Sequence, residues 1–449
     1  MKIVSSYTSL FISLFISIIP NYIHAEDKLL YKADFEYLGA FRVPKSDMGG
    51  PLYSGLSYGG YAIAYNPTNN SLLITGSDQS QLTAEIGIPA IVKSNNISDL
   101  NTASVIHNLI DTTDGNRRKI LADGTTEMTS SAVKIGGMMK WGGMLIGSAY
   151  SFFDGDYSAV RSHFVTNFDL SLKTFKGMLQ LGTPPTVPQA GYIAGYMTPI
   201  PNNWQDRLGG KALSGMSGLS VSTRTSYGPA AFSFNPNDLV AGTSPVNATA
   251  LLYYDEAHPS LGGWDASGGL HNMGSFQRGV IFPTGTRSII FTGRHSLGTA
   301  CYGQGTNIIE EASQDGYCYD PLDQTKGTHG YPYAMYAWVY DANDLARVKA
   351  RRRIVNDPSD NLVDGVAKTS TEKYKPWHIK PYTYWEIKLP FVDNKSGATG
   401  ASAYDEQSKR LYLVQYAADT DWPIIHAFQI KIDSIPDSAP RIEMIKLAQ

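Results

Sequence analysis

The residues best equipped for chemistry frame one stretch of the chain, Arg294 to Tyr333. Arg294-His295 directly follows the apolar run SIIFTG, and His329-Gly330-Tyr331-Pro332-Tyr333 ends the stretch. A histidine base, a tyrosine phenol and an arginine cation held together can remove a proton alpha to a carboxylate. That is the chemistry of β-elimination on uronate sugars. His295 or His329 would be the base, Tyr331 the proton donor and Arg294 the carboxylate clamp. The same groups can instead hydrogen-bond a sugar without reacting. They can also be structural, with Arg294 paired to an aspartate and the tyrosines packed on Pro332. All three readings stand at the level of sequence.

A hydrolase reading needs two carboxylates flanking a glycosidic bond. Asp78, Asp154, Asp156 and Asp419 stand at or near the ends of predicted strands, but sequence does not give their separation. Asp154-Gly155-Asp156 and Asp419-Thr420-Asp421 resemble fragments of calcium loops, far short of a full motif, and surface turns are the favoured reading of both. No cofactor is otherwise expected. Trp264 and Trp422 fall in loops and are candidates for stacking on a sugar face, while Trp141, Trp338, Trp377 and Trp385 lie in or beside apolar strands and read as packing. His163 and His271 join Asp78, Asp154, Trp264 and Trp422 as candidate binding residues. Gly55-Leu56-Ser57-Tyr58-Gly59 fits the nucleophile-elbow spacing, yet a strand follows it where that elbow needs a helix. Phosphate-loop and His-Glu-x-x-His patterns are absent.

These residues need a scaffold, and the sequence suggests a repeated one. Short β-branched and aromatic runs alternate with Gly, Pro, Asn and Asp clusters, the all-β pattern. A hairpin signature recurs at Ala62–Asp78, Gly279–His295 and Ala401–Asp419, with looser copies at Gly136–Tyr150 and Gly195–Gly215. Strands with an Asp-Leu type ending follow, reaching Leu100, Leu172, Leu239, Leu345 and Ile435. A leading strand precedes each hairpin, at Glu36–Pro44, Ser104–Leu109, Phe175–Pro185, Leu251–Pro259 and Tyr384–Phe391. The unit therefore reads as leading strand, hairpin and trailing strand. Serial four-stranded units build a β-propeller, which takes ~4–8 blades. Five antiparallel blades are predicted, with room for a sixth or seventh between 250 and 383. The tail RIEMIKL (Arg441–Leu447) resembles a leading strand and is a candidate for closing the ring.

In such a unit the first and third connections emerge at the same pole. They are the long ones here, and the hairpin turn between them is short. Functional side chains concentrate on loops carried by a rigid scaffold, so one pole is expected to hold the site.

The N-terminus reads as a signal peptide over residues 1–25: Lys2, the apolar run Leu10–Ile19, Pro20 and a small residue at Ala25. That run is short of the ~20 residues a membrane span needs. A single propeller domain is expected over residues 26–449, secreted or periplasmic and monomeric. With 37 Lys and Arg against 40 Asp and Glu, the chain is slightly acidic. Nothing in it reads as a nucleic-acid patch, and Arg351-Arg352-Arg353 reads as a solvated loop. In an exported chain Cys301 and Cys318 are expected to pair, a crosslink worth ~3 kcal/mol by chain entropy. The leading functional reading is carbohydrate binding or cleavage, by a polysaccharide lyase or glycoside hydrolase. The alternative is a non-catalytic interaction scaffold.

HGYPYAMYAWVYDANDL (His329–Leu345), PWHIKPYTYW (Pro376–Trp385), EYLGAFRVP and YGGYAIAYNP resemble segments of uncharacterised exported bacterial propeller-like proteins. The resemblance covers about a fifth of the chain by these segments. It implies export and the propeller fold, and it brings no activity or site residue with it.

Overall fold

The computed structural model describes residues 27–49, 53–219, 224–265, 267–350, 362–363, 366–367, 375–391 and 399–432. The predicted signal peptide, the arginine triplet at 351–353 and the tail at 441–447 lie outside them.

Five four-stranded antiparallel sheets follow one another. After β1 (Phe35–Arg42), blade 1 holds β2 (Ile63–Asn66), β3 (Ser71–Thr75), β4 (Thr83–Gly87) and β5 (Ser104–Ile110). Blade 2 holds β6 (Val133–Trp141), β7 (Met144–Ser151), β8 (His163–Asn167) and β9 (Phe175–Leu179). Blade 3 holds β10 (Met197–Pro199), β11 (Ala212–Ser214), β12 (Ala231–Phe234) and β13 (Ala248–Leu252). Blade 4 pairs β14 (Phe276–Ile281), β15 (Ser288–Ser296), β19 (Tyr333–Asp341) and β22 (Thr383–Glu386). Between β15 and β19 it carries a small sheet of β16 (Cys301–Thr306), β17 (Tyr317–Tyr319) and β18 (Lys326–His329). The short pair β20 (Leu362–Val363) and β21 (Val366–Ala367) precedes β22. Blade 5 holds β23 (Thr399–Asp405), β24 (Arg410–Asp419) and β25 (Trp422–Ile430), and β1 completes it by pairing with β25.

The innermost strands touch in a closed cycle: β2 with β6, β6 with β10, β10 with β14, β14 with β23, and β23 with β2. The core repeats that closure, because five buried apolar clusters each fill one seam between neighbouring blades. Leu73 of blade 1 meets Leu145 and Phe164 of blade 2. Val165 of blade 2 meets Phe232 of blade 3, and Leu251 of blade 3 meets Phe291 and Trp338 of blade 4. Ile290 meets Leu411 and Phe428 of blade 5, and Tyr412 and Ile425 meet Ile63 and Leu72 of blade 1. Each sheet is thus buried on both faces, as radial packing requires. The fold is a five-bladed β-propeller.

Four expectations change. The leading strand of each predicted unit is the outermost strand of the preceding blade, so the repeat is shifted by one strand. The third strand of blade 1 is Thr83–Gly87 rather than the run ending at Leu100, whose Asn96 caps a short 3-10 helix at Ile97–Asp99. The Asp-Leu endings of blades 3 and 4 open helices, α2 (Pro236–Ala241) and α3 (Ala342–Ala350), because Asn235 and Asp341 accept backbone N–H groups just inside them. The hairpin turn of blade 3 is also not short, since it contains α1 (Asn202–Leu208). The interval 250–383 holds the inserted sheet and no further blade among the described residues.

The shift leaves the polar argument intact. Antiparallel order places the second-to-third-strand loops and the blade-to-blade loops at one pole, whichever strand begins the count. Close approach near the axis explains one glycine: a Cβ on Gly136 of β6 would lie 1.9 Å from the Ala194 carbonyl oxygen.

Candidate functional site

At the long-loop pole a cleft of about 390 Å³ lies over blades 2, 3 and 4. The β7–β8 loop supplies Phe152 and Phe153, and the β13–β14 loop supplies Trp264. The start of β14 supplies Phe276 and Arg278, the end of β15 supplies Arg294, and the insert supplies Tyr302, Asp323, Lys326 and His329.

Arg294, near the end of β15, forms part of one wall. Its Nε donates to the Gly274 carbonyl (3.0 Å), and its guanidinium lies 4.2 Å from the Tyr333 ring centre and 4.5 Å from that of Phe276. Burial pulls its pKa below the usual arginine value, while Tyr333 and Asp320 favour its charge. Tyr333 in turn donates to Asp320 Oδ2 (2.5 Å), and His329 Nδ1 donates to the same oxygen (2.9 Å). Asp320 Oδ1 accepts the backbone N–H groups of Leu322 and Asp323. His329 Nε2 faces the Thr325 carbonyl (3.0 Å). Both ring nitrogens therefore meet acceptors, which is the environment of an imidazolium. Burial opposes that charge, but the bonds to Asp320 and Thr325 outweigh it and raise the His329 pKa. Asp320 is the mirror case: burial would raise it, yet His329, Tyr333 and the Leu322 N–H hold it low. Burial and the Asp320 carboxylate push the Tyr333 phenol well above its ordinary value, against the pull of Arg294.

The insert that presents His329 is stapled by the Cys301–Cys318 disulfide. Cys301 on β16 stands opposite His329 on β18, and β17 with Cys318 runs parallel on the other side of β16.

Nearer the axis is a second polar group, formed by residues that sequence reasoning passed over apart from Asp78. Lys134 at the start of β6 bonds both oxygens of Asp78 (2.8 and 2.6 Å) and lies 5.2 Å from the Phe152 ring centre. Gln81 joins Asp78 to β6, donating to the Asp78 carbonyl and accepting from Ile135 N–H. Arg278 stacks on Tyr61 at 4.3 Å, and Tyr61 and Tyr416 share a side-chain hydrogen bond. A usable signal was present. Lys134 and Arg278 are charges at the start of otherwise apolar inner strands, each just after a long loop.

The predicted residues separate into four groups. Arg294, His329 and Trp264 line the cleft, Trp264 packing edge-on against Tyr227 at 4.8 Å. Asp78 stands beside the axial group, bound to Lys134. Tyr331 lies at the base of the insert, its ring edge-on to Tyr319 (5.8 Å) and Tyr333 (6.2 Å), and Tyr333 takes the phenol's place in the network.

The others do not converge on the cleft. His295 follows Arg294 in a regular strand and so points to the opposite face. There its Nδ1 meets Ser275 Oγ (3.0 Å), its Nε2 meets the Gly269 carbonyl (3.1 Å), and burial lowers its pKa to about 4. His163 is fully buried between Ser162 and Ser214, with its pKa lowered to about 3 by desolvation. His271 is also fully buried, edge-on to Tyr227, with a pKa of about 3 owing to burial and then to His295. Asp154 accepts the N–H groups of Ser158 and Ala159 inside its own loop. Trp422 and Asp419 lie on blade 5, where Lys45 sits over the Trp422 ring and Arg42 and Lys45 both bind Asp419. Neither calcium-like fragment gathers further ligands, and among the described residues no three His, Cys, Asp or Glu side chains converge on a point.

No family model and no curated protein matches the chain. Solved structures with a partial likeness include a glycosyl hydrolase from Bacteroides ovatus, at 11% identity and TM-score 0.38 over 90% of this chain and 96% of that one. A putative glycoside hydrolase from Bacteroides ovatus ATCC 8483 gives 12% identity and TM-score 0.35 over 88% and 98%. The β-propeller domain of Cps50 (Swd1) from Myceliophteria thermophila gives 8% identity and TM-score 0.28 over 88% and 99%. Likenesses this loose decide nothing about the site.

Proposed function

We propose that this chain is an exported glycan-binding propeller whose ligand lies in the long-loop cleft. The observation that carries the reading is the distribution of exposed aromatic rings. Tyr53, Tyr58, Phe152, Phe153, Tyr157, Tyr302, Tyr317 and Tyr319 are all exposed and all belong to long-loop-pole segments. Tyr31 and Tyr384 are the exposed aromatics elsewhere among the described residues. Rings left in water at one pole are a cost unless a ligand with apolar faces covers them, and sugar rings present such faces. Export is supported by the disulfide and by the apolar N-terminal run, and no helix among the described residues is long and apolar enough to cross a membrane.

Binding is favoured over elimination. A base for proton abstraction must be unprotonated and reach the substrate. Both ring nitrogens of His329 are engaged by acceptors, Asp320 and the Thr325 carbonyl, and His295 faces away with both nitrogens engaged. The test is affinity electrophoresis and calorimetry of the purified chain against neutral and acidic polysaccharides, with a parallel assay for unsaturated or reducing ends. Retention by at least one polymer, weakened about tenfold or more in Phe152→Ala/Phe153→Ala, is expected if each ring contributes ~1 kcal/mol. Binding to none of the polymers would sink the proposal and leave a protein-interaction scaffold. Release of unsaturated ends would restore the lyase reading.

A further inference from the structure

We propose that the ligand of this cleft is acidic, and that Arg278 is the residue that selects it. The inference rests on the glycan-binding reading and adds the charge of the sugar to it. Arg278 occupies a β-bulge. Gln277 pairs with Gly293 and Gly279 with Thr292, so Arg278 is the extra residue between two ladder positions. Bulges re-aim a side chain out of the regular alternation and occur beside functional sites. Here the bulge sends a guanidinium from blade 4 across the axis onto Tyr61 of blade 1, at 4.3 Å, while its other flank faces Phe276 at 5.3 Å.

The guanidinium is left without a polar counterpart. Its Nε is buried with no hydrogen-bond partner, and among the described residues no carboxylate lies within ion-pair reach of it. Asp78, close enough to influence Tyr61 and Tyr416, is already spent on Lys134. Arg294 lines the same cleft and feels Arg278 as a like charge. Asp323 at the rim is the opposing acid, and it accepts from the N–H and hydroxyl of its neighbour Thr325. Two arginines converging on one cavity, one of them with a buried Nε that has no acceptor, is costly when the cavity is empty of anions. A planar carboxylate or a sulfate oxygen pair fits an arginine fork and removes that cost. Tyr61 packs against the guanidinium at 4.3 Å, which restricts the side chain's freedom before a ligand arrives.

Calorimetry of the full chain with polygalacturonate oligomers, with the same oligomers after carboxyl reduction, and with a sulfated galactan tests this. The acidic oligomers should bind at least about tenfold more tightly than the neutral ones, since a hydrogen bond to a charged group is worth ~1.5–3 kcal/mol. The advantage should shrink as salt is added, and Arg278→Met should bring the acid-to-neutral ratio near one. Arg278→Lys keeps the charge without the fork and should retain part of the preference, which covers the case in which the Met variant misfolds. Which acidic polymer is preferred identifies the acid group. Equal affinity for acidic and reduced oligomers overturns the inference and leaves glycan binding standing. Absence of binding to all three removes both. Persistence of the full acidic preference in folded Arg278→Met and Arg278→Lys overturns the role of Arg278.

Discussion

The two poles of this propeller differ in a way that volume does not capture. The short-turn pole opens on the larger cavity, about 510 Å³, lined by residues of all five blades, including Met138, Met197, Phe282 and Tyr404. Its charges are locally satisfied: Lys140 donates to the Gly142 carbonyl and Glu406 pairs with Lys409. The long-loop pole has the smaller cleft, yet it holds the exposed rings, two converging arginines and a buried Asp-His-Tyr network. The first cavity is the space left where five inner strands splay apart. The second is a surface on which the chain has accumulated wet aromatics and a buried arginine Nε without an acceptor. Such costs, rather than empty space, mark a ligand site.

The largest break in this comparison should come from Asp320→Ala. It removes the shared acceptor of His329 and Tyr333 and leaves a buried imidazolium uncompensated. Removing one member of a buried pair costs ~3–5 kcal/mol. Urea unfolding with hydrogen exchange should show that loss concentrated in residues 301–329. A loss below about 1 kcal/mol, as for a solvated surface pair, would mean that solvent already relieves the network.

The same pair gives a pH signature. His329 has a raised folded pKa, so its contribution is present at low pH and is lost as pH rises through that value. Asp320 has a depressed one, so its contribution is present at neutral pH and is lost as pH falls through it. Protection of the insert should therefore peak between the two and fall on either side, and Asp320→Ala should flatten both limbs. A monotonic profile in the unsubstituted chain would contradict the charged pair.

Reducing the disulfide, or Cys301→Ser/Cys318→Ser, should cost ~3 kcal/mol by chain entropy for this separation of 17 residues. The loss should loosen the His329 wall of the cleft while the blades keep their melting transition. If the blades melt with the insert, the insert is part of the cooperative core and the two poles are less separable than their contacts suggest.

Much of this contrast was legible in the sequence, and the misses have physical causes. The hairpins at 62–78, 279–295 and 401–419 stood out because each inner strand is apolar and ends in a polar turn. Their grouping into blades was offset by one strand, because a ring has no first element. Only the β1–β25 register, joining segments almost 400 residues apart in sequence (Phe35 with Ile430), fixes where the repeat begins. Arg294 and His295 looked like partners because they are neighbours in sequence, and that adjacency in a strand is what turns them apart. Arg278 and Lys134 were overlooked because their approach to the axis depends on ring closure and, for Arg278, on a bulge. Composition reports neither.

The smallest effect expected is at the other pole, and it sharpens the comparison by being small. Tyr404 lines the larger cavity, and its hydroxyl is buried with no hydrogen-bond partner. Tyr404→Phe removes an unsatisfied polar atom and keeps the ring, so stability should hold or rise by up to ~1 kcal/mol in denaturant melts. Affinity for any glycan bound at the long-loop pole should stay within about twofold, a shift too small for a lost contact. Tyr302→Ala, which removes an exposed ring from the cleft insert, should do the reverse: little change in melting and a loss of affinity of ~1 kcal/mol. A fall in binding with Tyr404→Phe would mean that ligand reaches through the ring to the larger cavity, and the axis itself, rather than one pole, would then be the site.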